Sequence, residues 1–360
     1  MYPPLTNRGP AAFRAVFVIA AGLCGGPALG HLGAPVSDSL APVRTCADRI
    51  LRQQLADGAI VQGRLPAASS RVVPYFADMA AHGLADAYRV TRDRRYLEGA
   101  RRWIAWYEAH QNANGTIYDY DGSPGSWKAT GDYDSTDSYA STYLEAVWAL
   151  HRARPDDAWL RDRLPAARKC VEAIRLTLQP NGMTLAKPTY PVMYTMDNTE
   201  TAVGLRCAAR IERAVGDAER SRRCDAEAAT MERAVASLLW DDAAQCYLIG
   251  LQPDGYRHRG LSKWYPDVMA NLMAIGWLPR SERNVLLLKR LRVRFGQYLP
   301  TAVGGDADLG RLVWWGVAAM GAGDRALLDE VRRALSGIGQ GVVLAEPSTL
   351  GLACRVLSEE

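Results

Sequence analysis

Three strings in the chain bring carboxyl groups and aromatic rings together at spacings suited to acid–base chemistry. Gly131-Asp132-Tyr133-Asp134-Ser135-Thr136-Asp137-Ser138-Tyr139 holds three acids in close succession, with two tyrosines among them. Tyr194-Thr195-Met196-Asp197-Asn198-Thr199-Glu200 sets two acids three residues apart, and Lys263-Trp264-Tyr265-Pro266-Asp267 puts one beside two aromatics. Glycoside hydrolysis needs two such groups across the scissile bond: one kept protonated to donate to the leaving oxygen, the other to activate water or attack the sugar. The candidate catalytic pair takes one acid from Asp134 or Asp137 and the other from Asp197 or Asp267. Acid and base roles stay open, as does inversion against retention. Trp127, Asp132, Tyr133, Tyr139, Tyr194, Glu200, Trp264 and Tyr265 are the expected substrate contacts. Their ring faces offer broad apolar platforms with polar edges, onto which sugars stack.

Each string also has a plainer reading. Asp134 or Ser135 would cap a helix, and Asp197 with Glu200 has the spacing of a capping box. Pro266 suits a first helical turn, which would leave Asp267 at a helix mouth. Asp306, Asp308 and Glu346 occupy comparable places as caps or solvated loop acids. Capping accounts for one or two of the acids in the first string, not for three acids and two tyrosines. The Asp-x-Asp-x-x-Asp spacing would also suit an oxygen-ligated cation, but no full calcium-loop or phosphate-loop pattern accompanies it. No metal or cofactor is expected.

The elements that must position these residues are helices. Patterns of helical period are predicted near Val43–Leu55, Arg71–Val90, Arg94–His110, Thr136–Ala153, Asp157–Leu178 and Thr199–Val215. They continue near Ala218–Leu239, Pro266–Gly276, Ser281–Phe295, Ala307–Met320, Arg325–Leu335 and Ser348–Leu357, making twelve helices and six hairpins. Pro165 marks a kink or break in the fifth. Odd-numbered helices are amphipathic, with Leu160, Leu164, Ala167, Val171 and Ile174 in one stripe; even-numbered helices are apolar nearly all round. One face in water against enclosure on most sides implies an inner ring of even helices inside an outer ring of odd ones. Connections entering even helices are long, such as Gln111–Ser135 and Gln179–Asn198, whereas those leaving them are tight. The long loops, with minor β-hairpins in them, are expected to gather beside the N-termini of the inner helices. All three acid-bearing strings lie there.

About half of the 360 residues are hydrophobic, enough for a large core, and the formal charge is only +4. Arg92–Arg95 and Arg220–Arg223 fall on expected outer helix faces, so a nucleic-acid partner is not expected. Residues 1–30 read as a signal peptide: Arg8 and Arg14 precede the apolar run Ala15–Leu23 and a cleavage site at Ala28-Leu29-Gly30. The run is too short to span a membrane, and the bulky Leu23 before Cys24 argues against a lipoprotein. Residues 31–42 are expected to be an exposed N-terminal segment and residues 43–360 a single toroidal catalytic domain. Export to the periplasm or medium follows, without stable membrane insertion after cleavage; oligomeric state stays open. Cys46, Cys170, Cys207, Cys224, Cys246 and Cys354 would then remain, as disulfides in any of 15 pairings or as buried thiols.

With this hairpin pattern and the strings Asp134–Ala140, Met196–Glu200 and Trp264–Asp267, the chain resembles the six-hairpin glycosidase superfamily. That resemblance implies an all-α (α/α)6 toroid acting on a polysaccharide or oligosaccharide, by hydrolysis or sometimes elimination. Endoglucanases of glycoside hydrolase family eight carry a glutamate string at the first inner helix. Here Ser69-Ser70-Arg71-Val72-Val73-Pro74-Tyr75 stands in its place without an acid. A lyase would instead use a cluster such as Tyr256, Arg257, His258 and Arg259, which also suits a solvated loop. A non-catalytic glycan-binding component of an export assembly is the third reading. An isoprenoid cyclase is disfavoured by the aromatic-rich loops and the export signal. No GxSxG elbow, P-loop or dinucleotide fingerprint occurs in the required context.

Overall fold

The computed structural model describes residues 39–63, 70–338 and 345–359; the expected signal peptide lies outside them. Among these residues twelve α-helices alternate with short strands. The helices are α1 (Ala41–Gln53), α2 (Pro74–Thr91), α3 (Arg94–His110), α4 (Thr136–Ala153), α5 (Asp157–Arg175) and α6 (Thr195–Ala214). They continue as α7 (Ala218–Leu238), α8 (Met269–Trp277), α9 (Glu282–Phe295), α10 (Asp306–Ala322), α11 (Arg325–Ser336) and α12 (Pro347–Ser358).

The even helices close on themselves: α2 packs on α4, α4 on α6, α6 on α8, α8 on α10, α10 on α12 and α12 back on α2. This is the inner ring that the all-round apolar sequences require. Small residues let its helices meet backbone to backbone. A Cβ on Gly83 or Gly351 would run into the facing main chain between α2 and α12, and one on Gly204 would stand 2.5 Å from Ser141 Cβ. The α8/α10 contact has the same basis in Gly276 and Gly321. The odd helices lie outside, each against the inner ring.

Apart from α1, which has no side-chain cap, helix starts divide by ring. Asp93, Asp156, Asp217, Ser281 and Asp324 cap α3, α5, α7, α9 and α11 by accepting from a backbone N–H at 3.0–3.2 Å. None of the six inner helices has a side-chain N-cap. Their first turns meet the long loops instead.

Those loops pair with one another. Strand β1 (Ser70–Val72), from the loop before α2, pairs antiparallel with β2 (Tyr120–Gly122), which pairs with β3 (Lys128–Ala129). Both β2 and β3 come from the loop before α4. Strand β4 (Met193–Tyr194), just before α6, pairs with β7 (Gly250–Leu251), which pairs with β8 (Arg257–His258) from the loop before α8. Between them β5 (Trp240–Asp241) and β6 (Cys246–Tyr247) make a hairpin after α7.

Several boundaries differ from expectation for physical reasons. Helix α1 starts at Ala41 and takes in Pro42, both assigned above to an exposed segment; Pro42 is favourable in a first turn. Arg71 and Val72 are strand, and α2 starts only at Pro74. Pro165 neither splits nor ends α5. Helix α6 begins four residues before the expected Thr199, so Asp197 is inside its first turn. Before α8 the chain makes an irregular turn, Trp264–Val268, in which Tyr265 is extended (φ −112°, ψ 133°). The six described cysteines are free, buried thiols.

Candidate active site

The N-terminal turns of α4 and α6 are locked together through the loop between α5 and α6. Asp137, fully buried in the first turn of α4, accepts a 2.5 Å hydrogen bond from the Thr184 hydroxyl and a 2.9 Å bond from the Ser138 N–H. Thr184 is itself held by Asn198 of α6, whose Oδ1 accepts from the Thr184 N–H at 2.7 Å. The Asn198 amide donates to the carbonyls of Thr184 and Tyr194, each at 3.0 Å. Burial outweighs these bonds and lifts the Asp137 carboxyl to about 7.

Asp197 stands beside this lock, half-buried. No side chain among the described residues hydrogen-bonds its carboxyl group. Burial, followed by the like charges of Asp137 and Asp134, raises it well above the usual carboxylate range. Asp134, just before α4, is exposed, and only its backbone N–H is engaged, by the Tyr139 hydroxyl at 3.4 Å. One carboxyl favouring its proton therefore faces a second that stands in water.

Two tyrosines converge on the same place. Tyr265 is 56% exposed, and its hydroxyl is held above its ordinary range by burial and by the charges of Asp134 and Asp197. The Tyr194 hydroxyl is raised by burial, by its 3.1 Å contact with the Tyr190 hydroxyl, and by Asp197 and Tyr265. The Tyr190 and Tyr194 rings stack at 6.3 Å, and Tyr194 lies across Gly250, which has no side chain to obstruct it.

Beneath Asp197 the inner ring is polar. Glu200, one turn further into α6, accepts from the Tyr75 hydroxyl of α2 at 2.6 Å; burial raises it well above the usual range, and Asp197 adds to that. Tyr75 stacks on Tyr139 at 5.9 Å. Deeper still, Glu145 is lifted to about 7 by burial, partly relieved by Arg355 at 3.6 Å. It lines a cavity of about 10 Å³ with His82, Thr142 and Arg355. Asp78, buried, accepts from Trp103 Nε1 at 2.8 Å and from the Thr142 hydroxyl at 3.1 Å.

The expected site residues thus separate into groups. Asp134, Asp137, Asp197, Tyr194 and Tyr265 come together, with Glu200 and Tyr139 directly behind. Asp267 does not join them: it is buried, and its Oδ2 accepts from the Ser262 N–H at 2.7 Å, the Ser262 hydroxyl at 3.1 Å and the Lys263 N–H at 3.3 Å. It folds its own loop. Trp264 packs on Tyr298 at 5.7 Å. Trp127 is tied to Asp57 by a 2.7 Å bond and meets Trp106 edge-on at 5.9 Å, so it anchors its loop to α3. Asp132 pairs with Lys187 at 2.8 Å, which holds it below its ordinary range, and Lys187 also lies 5.6 Å from the Tyr133 ring centre. The three acids of the first string therefore face three different surroundings, contrary to a shared cation site.

The capping-box reading also gives way, because Glu200 is paired to Tyr75 and no side chain caps α6. Asp308, in the first turn of α10, reaches back to accept from the Gly304 N–H at 3.2 Å. In the cluster considered for a lyase, Arg259 pairs with Asp241 at 2.8 Å, Arg257 donates to the carbonyls of Leu238 and Trp240, and His258 contacts Gln252 at 3.0 Å. Those side chains hold strands together.

One group escaped the sequence reading. Asp119 accepts from the Arg71 guanidinium at 2.8 Å and from the Tyr139 hydroxyl at 2.9 Å, joining the β1–β2 sheet to α4. Its position between two tyrosines, Tyr118 and Tyr120, was the only local signal for Asp119.

No family model matches the sequence, and no curated protein matches it. Solved structures do resemble it. A GH63 mannosylglycerate hydrolase from Thermus thermophilus, in complex with glucose, superposes with a TM-score of 0.62 at 13% identity, over 88% of this chain and 99% of that one. The GH76A α-1,6-mannanase of a Salegentibacter species gives 0.56 at 12% identity, over 89% and 97%. A novel α-amylase from Clostridium perfringens gives 0.60 at 9% identity, over 89% and 97%. The chain shares the fold of these structures, an (α/α)6 toroid.

Proposed function

We propose that this protein is an exported glycoside hydrolase, with Asp197 as general acid and Asp134 as the partner that activates water or attacks the sugar. The observation that carries the reading is Asp197: a half-buried carboxyl with no side-chain partner among the described residues, surrounded by like charge, next to exposed Asp134 and two tyrosines. Such surroundings favour the protonated form of the carboxyl, as proton donation to a leaving oxygen demands. Tyr194 and Tyr265 offer ring faces for the sugar beside the acids. Asp137 acts from behind, by charge. The signal-like residues 1–30 support export to the periplasm or medium.

The structural neighbours suggest where to look for a substrate. Two are named for mannose-containing substrates, one is an α-amylase, and the mannanase has been captured as an inactive double aspartate-to-asparagine variant with α-1,6-mannotriose. A screen of α-mannans, α-glucans and short mannosides, read by release of reducing ends, tests the reading. Turnover that disappears in the Asp134→Asn/Asp197→Asn double variant supports it. Binding without turnover in the parent, unchanged in the double variant, would make the protein a glycan-binding toroid instead. Unsaturated, ultraviolet-absorbing products from uronate polymers would make it a lyase.

A further inference from the structure

Cys46 lies on the buried face of α1, in line with Val43, Ala47 and Ile50. Cys354 lies on α12, which packs along α1. Both are 0% exposed, and the two thiols are near enough to influence each other. Cys354 Sγ also reaches the carbonyl of Val43, one turn before Cys46, at 3.8 Å. The pair thus sits where the first and last helices meet. Cys170 is engaged differently, by Tyr107 at 3.7 Å and Gln111 at 3.2 Å. The charged neighbours of Cys207 and Cys224 are acids and arginines.

We propose that Cys46 and Cys354 are a disulfide-forming pair that closes the toroid covalently at the α1/α12 seam when the chain folds under oxidising conditions. The oxidant is a disulfide, either a small molecule or a thiol–disulfide exchange protein. The Cys46 thiol gives up its proton and attacks one donor sulfur, releasing the first donor thiolate. The Cys354 thiolate then attacks Cys46 Sγ and releases the second. Two electrons pass from the cysteines to the donor disulfide, and the two protons end on the two donor thiols. The folded thiols are shut from solvent, and their mutual contact and burial raise the Cys354 thiol well above its ordinary range. Exchange therefore belongs to folding, before α12 docks. The resulting cross-link spans almost all of the described chain, the arrangement in which restricting the unfolded state has its largest effect.

The test refolds the full chain with oxidised and reduced glutathione, alkylates remaining thiols, and maps peptides without reduction. The expected result is a Cys46–Cys354 linked peptide that disappears on reduction, with a Tm roughly 5 °C or more above that of the reduced protein. Cys354→Ser should abolish the linked peptide. Recovery of Cys46 and Cys354 as separate alkylated peptides from cooperatively melting wild-type protein overturns the proposal, as does linkage of either to another cysteine. The wild-type measurement stands even if the serine variant does not fold, and none of these readouts depends on glycosidase activity.

Discussion

Asp137 and Asp197, in the first turns of neighbouring inner helices, act on each other by charge, yet only Asp197 keeps any exposure. Asp137 is fully buried, with the Thr184 hydroxyl at 2.5 Å. Removing its charge by Asp137→Asn should let Asp197 ionise more readily. The alkaline limb of the pH–rate profile should then move to lower pH. A profile of kcat/KM for wild type and variant checks the direction; an unmoved or upward-shifted limb opposes it.

Tyr75 should matter more to stability than its half-buried ring suggests. Its hydroxyl donates to buried Glu200 at 2.6 Å, and Tyr75→Phe would take that bond from a carboxyl that cannot reach water. A loss of about 1–3 kcal/mol is expected, measured by urea unfolding. A change under about 0.5 kcal/mol would mean that Glu200 finds another donor.

Stability should fall as pH rises through the neutral range. Burial holds Asp137 and Glu145 at about 7 in the folded protein, whereas an unfolded chain releases these protons near pH 4. Between those values the folded state carries more protons than the unfolded one, so its stability drops with pH. Tm should be lower at pH 8 than at pH 5. Glu145→Gln, which cannot ionise, should reduce the difference in stability by roughly 1–3 kcal/mol. A variant with the wild-type pH dependence would contradict this assignment.

The ring contact at Gly351 is also open to test. An added Cβ there would collide with the Met79 carbonyl of α2, where backbones leave no room to shift a side chain. Gly351→Ala should cost about 3 kcal/mol. Gly310→Ala, on α10 with open space around it, is the control and should be neutral or slightly stabilising. Thermal denaturation of both separates a packing effect from helix propensity.

The toroid was legible because its signals are local and repeated. The amphipathic stripe from Leu160 to Ile174 marks an outer helix, and the apolar stretch from Leu312 to Met320 marks an enclosed one. The site was legible only as a neighbourhood. Asp197 and Asp267 look alike in sequence, each beside an aromatic at an inner helix, but the Ser262 and Lys263 amides curl onto one and leave the other without a side-chain partner. A short-range pattern carries no information on which way a loop folds back. Asp119 was hidden for a similar reason: its partner Arg71 is 48 residues away, in another hairpin. Trp127 has a packing role that its sequence context did not announce: its ring meets Trp106 edge-on.

The central claim is that Asp197 supplies the proton to the leaving oxygen, and leaving-group dependence tests it most directly. Kinetics of wild type and Asp197→Asn are compared on an unactivated glycoside found in the substrate screen and on the matching glycosyl fluoride, whose leaving group needs no acid. The account predicts a loss of about 10²–10⁴-fold on the glycoside and a loss of under roughly tenfold on the fluoride. Equal losses on both substrates, or activity within about tenfold of wild type on the glycoside, would contradict it.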